Sequence, residues 1–109
     1  MDAKTLFDKK LPEMIKTSPN KAKELEAIYL FKIKGDNGGV WTVDLKSDSP
    51  GVSKGDKGNA DCTIELADSD FEAMLKNSQL AMQLFFQGKL KVTGNPMLAT
   101  KLQQLFELV

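Results

Sequence analysis

Residues 27–34 read Ala27-Ile28-Tyr29-Leu30-Phe31-Lys32-Ile33-Lys34. Successive side chains of an extended chain point to opposite sides, so Tyr29, Phe31 and Ile33 share one face while Lys32 and Lys34 turn to water. This is a half-buried strand, and it needs cover on one side only. Downstream, Gly35-Asp36-Asn37-Gly38-Gly39 is turn chemistry, and Val40 to Ser47 resumes the alternation with Trp41, Val43 and Leu45 on one side, predicting a hairpin. Pro50 to Asn59 is rich in Gly, Lys and Asp with only Val52 apolar, which suits a short edge strand. Ala60 to Leu66 alternates again, Cys62, Ile64 and Leu66 inward against Asp61, Thr63 and Glu65 outward. Lys89 to Thr93, with Leu90 and Val92 inward, is a fifth strand.

Helical periodicity surrounds these strands. From Thr5 to Lys16 the residues Leu6, Phe7, Leu11, Met14 and Ile15 recur every three to four positions, and Pro12 inside the pattern should kink the helix or limit its first half because it removes a backbone donor. Ser18-Pro19 opens a short polar helix running to Leu25. Ser69 and Glu72 have capping-box spacing before a helix carrying Phe71, Met74 and Leu75. Asn77-Ser78 opens another, in which Met82, Phe85 and Phe86 are expected to share a face and Gly88 to end the helix as a left-handed residue. Asn95-Pro96 caps a last helix with Leu98, Leu102, Leu105, Phe106 and Val109 as a broad apolar stripe. With one apolar face per strand, the helices should lie on a single side of the sheet, giving a two-layer α+β domain spanning residues 1–109.

Composition narrows the function. At 109 residues there is room for one core, and 41% hydrophobic with 28% charged residues is ordinary for a globular domain, expected to be a monomer. Fifteen lysines balance fifteen carboxylates, and there is no arginine or histidine. Without arginine or net positive charge, nucleic-acid binding is not expected. Without histidine, imidazole-based catalysis and histidine-containing zinc sites are excluded. The lone Cys62 sits in strand-like surroundings and reads as a small core residue. No apolar run approaches bilayer length, and Met1-Asp2-Ala3-Lys4 does not open a signal peptide, so an intracellular location is expected.

No catalytic constellation is present. Gly51, Gly55 and Gly58 lack phosphate-loop spacing. Asp61, Glu65, Asp68, Asp70 and Glu72 lack calcium-loop spacing, and carboxylates at a strand edge and helix N-terminus suit the helix dipole. No metal or cofactor is called for. The second half of the chain instead concentrates soft apolar side chains: Met74, Met82 and Met97 accompany Phe71, Phe85, Phe86 and Phe106. Such residues build an ordinary core as readily as a ligand box, though methionine adapts well to irregular cavities.

More specific are Ala60-Asp61-Cys62-Thr63-Ile64, Asp68-Ser69-Asp70-Phe71, Phe85-Phe86-Gln87-Gly88-Lys89-Leu90-Lys91-Val92-Thr93-Gly94-Asn95, Leu98-Ala99 and Lys101-Leu102-Gln103. In this order they closely resemble sterol carrier protein 2 domains, and Trp41-Thr42-Val43-Asp44-Leu45-Lys46 fits the same family's second strand. The resemblance covers the chain from about Ile28 onward; the first helices match in pattern only. It implies a five-stranded mixed sheet with about five helices on one side and an apolar tunnel between the layers. It further implies a non-enzymatic carrier of fatty acids, fatty acyl-CoAs, sterols or phospholipids, moving them between membranes or presenting them to enzymes. Carried onto this chain, the tunnel would be lined by Phe71, Met74, Leu75, Met82, Phe85 and Phe86, with Leu98, Leu102, Leu105 and Phe106 from the last helix and Ile33 and Trp41 on the sheet side. Gln87 is a candidate headgroup contact, and equally a helix-end amide.

Many members of that family end in a small-basic-leucine peroxisomal signal, whereas this sequence ends Phe106-Glu107-Leu108-Val109, so a cytoplasmic site is expected as readily as a peroxisomal one. Residues 1–23 and 88–101 are lysine-rich and 44–72 acid-rich. If the lysine segments share a face, they would dock transiently on anionic lipid. The alternatives are a protein-interaction module and an accessory domain of a larger lipid-metabolising enzyme.

Overall fold

The computed structural model describes residues 2–48, 50–77, 79–95, 97, 98 and 101. Five strands, β1 (Ile28–Lys34), β2 (Gly39–Asp44), β3 (Gly51–Lys54), β4 (Cys62–Ala67) and β5 (Lys91–Gly94), form one sheet in the order β3-β2-β1-β4-β5. β1 and β4 run parallel and the other neighbours antiparallel, so the sheet is mixed. Asp61 seats the crossover from edge strand β3 to β4. Its carboxylate accepts from the Ile28 amide at 3.0 Å, its own amide donates to the Ile28 carbonyl at 2.8 Å, and its carbonyl accepts from the Asn95 amide at 3.2 Å. Gly94 closes against the same residue: at φ 101°, a Cβ there would stand 2.5 Å from the Asp61 carbonyl oxygen, so only glycine fits without a shift.

The register aligns Tyr29, Phe31 and Ile33 with Val43, Trp41 and Gly39 on one side and with Cys62, Ile64 and Leu66 on the other. This face is buried and joins one core with Leu6, Phe7, Leu11, Met14 and Ile15 from the N-terminal helix, Phe71 and Met74, Leu84, Leu90 and Leu98. The reverse face carries Lys32, Lys34, Thr63 and Glu65, with a Lys34–Glu65 ion pair at 2.6 Å. The α+β arrangement predicted from the strand alternation is the observed one.

The N-terminal helix is α1 (Ala3–Thr5), a π-helical turn (Leu6–Lys10) and α2 (Leu11–Thr17) in sequence, followed by α3 (Pro19–Lys23). Where a proline kink was expected, the chain adjusts upstream. Pro12 has no amide to give the Asp8 carbonyl, and the Leu11 amide bonds to the Leu6 carbonyl, so the turn before Pro12 is widened and α2 starts with the proline in its first turn. At its start the Asp2 carboxylate accepts from the Thr5 amide at 2.8 Å.

α4 (Asp68–Lys76) and α5 (Leu80–Phe86) lie between β4 and β5. The helix begins at Asp68, before the expected Ser69 cap, with Ala67 as an N-cap that makes no side-chain bond, and the Asp68 carboxylate accepts from the Ser69 amide at 2.8 Å and the Asn37 amide at 3.1 Å. One residue earlier than the serine, Asp68 reaches both the helix start and the β1–β2 turn, satisfying two donors that Ser69 could not reach together.

Candidate functional site

The residues expected to line a ligand site fall into an interior set and an outward set. Ile33, Trp41, Phe71, Met74 and Leu98 are buried, and Leu75 packs half-buried against them. At their centre is Phe7, which stacks on Trp41 (ring centroids 4.8 Å apart) and on Phe71 (5.5 Å) and tilts against Phe31 (4.9 Å). Offset aromatic contacts of this kind add about 0.5–1.5 kcal/mol each beyond the area they bury. The indole N–H of Trp41 donates to the Asp8 carboxylate at 3.2 Å, so the π-helical turn supplies both the central ring and the acceptor that orients Trp41. The sheet side is therefore a packed aromatic floor.

Tyr29 ties this floor to the segment after β5. Its hydroxyl donates to the Leu98 carbonyl at 2.8 Å in the interior, and burial pushes its pKa well above the phenol range. Burial, with the neighbouring Asp61 charge, also raises the Cys62 thiol to about 11, so it stays protonated and acts as an apolar side chain. Among the described residues every buried side-chain nitrogen or oxygen has a partner.

Helix α5 departs most from expectation. Met82, Phe85 and Phe86 were expected on a covered face, yet they are 47%, 45% and 77% exposed, while Leu84, not among the expected site residues, is 8% exposed and in the core. Residues 80–86 read Leu-Ala-Met-Gln-Leu-Phe-Phe, apolar nearly all round, so periodicity does not choose a face. The helix end chooses it. Gly88, at φ 76°, sends its amide to the Phe85 carbonyl, and the Lys89 and Leu90 amides both reach Leu84 at 2.9 and 3.0 Å. This wrap carries Leu90 into the core beside Leu84 and leaves the Phe85 and Phe86 rings, 5.9 Å apart, pointing outward with exposed Gln87. The cue in the sequence was the Gly88-Lys89-Leu90 exit rather than the helix pattern. Leu102, Leu105 and Phe106 lie outside the described residues.

A separate hollow of about 190 Å³ is bordered by Lys23, Glu26, Leu45, Lys46, Ser47 and Asp48, where α3 meets the end of β2. Its border carries charges of both signs and includes none of the expected lining residues.

Comparison with known proteins places this arrangement. The family model described as the SCP-2 sterol transfer family matches residues 7–107. The chain belongs to this family. Human sterol carrier protein 2 is 45% identical over 86 residues, covering 76% of this chain and 16% of the human protein. Human hydroxysteroid dehydrogenase-like protein 2 is 38% identical over 89 residues, covering 81% of this chain and 21% of that protein. Apo sterol carrier protein 2 from Yarrowia lipolytica superposes with a TM-score of 0.74 at 31% identity, covering 95% of this chain and 83% of that structure. The chain therefore spans 16% and 21% of the two human relatives and 83% of the Yarrowia lipolytica structure.

Proposed function

We propose that this domain is an intracellular lipid carrier, holding a fatty acid, fatty acyl-CoA, sterol or phospholipid by its apolar part, with no bond made or broken. The observation that carries this reading is the buried apolar set Ile33, Trp41, Phe71, Met74 and Leu98, with no unpartnered buried side-chain nitrogen or oxygen among the described residues, together with the exposed Met82, Phe85 and Phe86 of α5. On this reading a tunnel runs along that apolar set, its mouth at Met82, Phe85 and Phe86 and its headgroup contact at Gln87, all four exposed on α5 or at its end. Each methylene removed from water contributes about 0.8 kcal/mol, so a long acyl chain binds tightly by apolar contact alone. Non-directional contact also implies broad specificity, limited by length and width.

A second reading has one observation in its favour: the human relatives matched here are several times longer than this domain. As part of a larger lipid-metabolising enzyme, in peroxisomes or cytoplasm, the same site would present its ligand to a catalytic neighbour.

The test is displacement of a fluorescent long-chain fatty acid from delipidated protein, with Phe86→Asp alongside. Saturable binding that weakens in the folded variant is the expected result. A folded, delipidated chain that binds neither fatty acid, acyl-CoA nor sterol would instead be an interaction module.

A further inference from the structure

We propose that the outward face of α5 docks on anionic lipid bilayers; this rests on the carrier reading and adds the surface through which the carrier meets its donor and acceptor membranes. Residues 77–88 contain no charged side chain, and the longer run 73–106 contains no carboxylate, its charges being Lys76, Lys89, Lys91 and Lys101. The large apolar side chains that stand out into solvent among the described residues, Met82, Phe85, Phe86 and Met97, all fall in this same run. Met82 and Phe86 are one turn apart on α5, the Phe85 and Phe86 rings are neighbours at 5.9 Å, and Gln79, Gln83 and Gln87 are exposed on the same helix or its flanks. Exposed Lys76 and Lys89 flank the helix at its two ends.

This is the pattern of an interfacial helix. Apolar rings enter the boundary between headgroups and acyl chains, neutral amides sit at headgroup level without a buried charge to desolvate, and the bordering lysines meet anionic headgroups. Charge decides between occupants. A second copy of this chain would bring the same cationic rim against itself across a two-fold axis, and protein interfaces are depleted in lysine at their cores. The lysines of the N-terminal segment are interleaved with Asp2, Asp8 and Glu13, and the apolar side chains Leu6, Phe7, Leu11, Met14 and Ile15 between them are buried in the core. That segment has charge to offer a membrane but no apolar surface, whereas α5 has both.

The experiment is co-sedimentation of the full chain with phosphatidylcholine vesicles, with and without phosphatidylglycerol, at low and high salt. Binding should require the anionic lipid, weaken with salt, and fall roughly fivefold for each lysine removed in Lys76→Gln and Lys89→Gln, while Lys9→Gln with Lys10→Gln leaves it unchanged. Phe86→Gln should release the protein from vesicles. In a Phe86→Trp variant, brominated phospholipid should quench the added indole while buried Trp41 stays bright. Equal binding by the Lys76 and Lys89 variants, loss only in the Lys9 and Lys10 variant, or no quenching at position 86 each overturns the proposal. Fatty-acid displacement run in parallel separates it from the carrier reading. A chain that binds fatty acid but ignores anionic vesicles refutes docking alone. A chain that docks through α5 but takes no lipid into its interior refutes the carrier and leaves the docking surface standing.

Discussion

The hydroxyl of Tyr29, on the central strand β1, donates to the backbone carbonyl of Leu98 across 2.8 Å inside the molecule. A phenol buried among apolar residues is tolerated because that carbonyl accepts its hydrogen bond, and the carbonyl is in turn satisfied. Replacing Tyr29 by Phe keeps the ring and strands the acceptor. The expected cost is about 1–2 kcal/mol, read as a lower urea midpoint at unchanged slope. An unaltered midpoint would mean that the bond is replaced by water.

On α5, Leu84 and Phe86 should respond in opposite ways to truncation. Leu84→Ala opens a cavity under the helix and should lose about 2–3 kcal/mol. Phe86→Ala removes a larger side chain that is mostly in solvent, and its effect should stay within about 0.5 kcal/mol. Thermal unfolding of the two variants side by side checks the rotation of the helix, and the reverse order would place Phe86 inside.

Phe7 touches Phe31, Trp41 and Phe71 together. Phe7→Ala should therefore cost about 3–5 kcal/mol, near the upper range for a single core truncation. Trp41 fluorescence should shift to the red in the native baseline as its stacking partner is lost. Retention of the wild-type emission maximum in a destabilised variant would separate the stability of the cluster from the environment of the indole.

Alkaline pH should erode stability through Cys62. Below its ordinary value of 9.0 the thiol is protonated in both folded and unfolded chains, and its contribution is complete. Between 9.0 and about 11 the unfolded chain releases the proton while the folded chain holds it, so the unfolded state gains and stability falls as pH rises. Tyr29, raised from 10.0, adds a decline of the same sign at higher pH. Cys62→Ala should flatten the first part of this slope in urea titrations across pH 8 to 10, and an unchanged slope would remove Cys62 from the account.

The strand pattern was legible because period-two alternation is a local property. Tyr29, Phe31 and Ile33, like Cys62, Ile64 and Leu66, face the core as their spacing requires, whereas the burial of Leu30 and its cross-strand partner Thr42 on the reverse face is not in the alternation. The start of α4 was not legible in the same way: the helix opens at Asp68, two residues before the first helical position that a Ser69 cap would give, and the Asn37 amide that Asp68 also serves lies thirty-one residues away in the chain. The widened turn before Pro12 was missed for a related reason: proline shows that a carbonyl loses its donor, but not whether the helix bends or rewinds to compensate.

The sequence alone determined the α+β fold class, the inward faces of β1, β2 and β4 and the family, because each depends on residue type and on the spacing of near neighbours. The rotation of α5, the Tyr29–Leu98 bond and the Phe7-centred aromatic floor were decided only in the tertiary structure. An all-round apolar helix has no preferred face until Gly88 turns the chain back and Leu90 is buried beside Leu84. A phenol and a carbonyl sixty-nine residues apart carry no mark of each other until the sheet and the last segment are packed together.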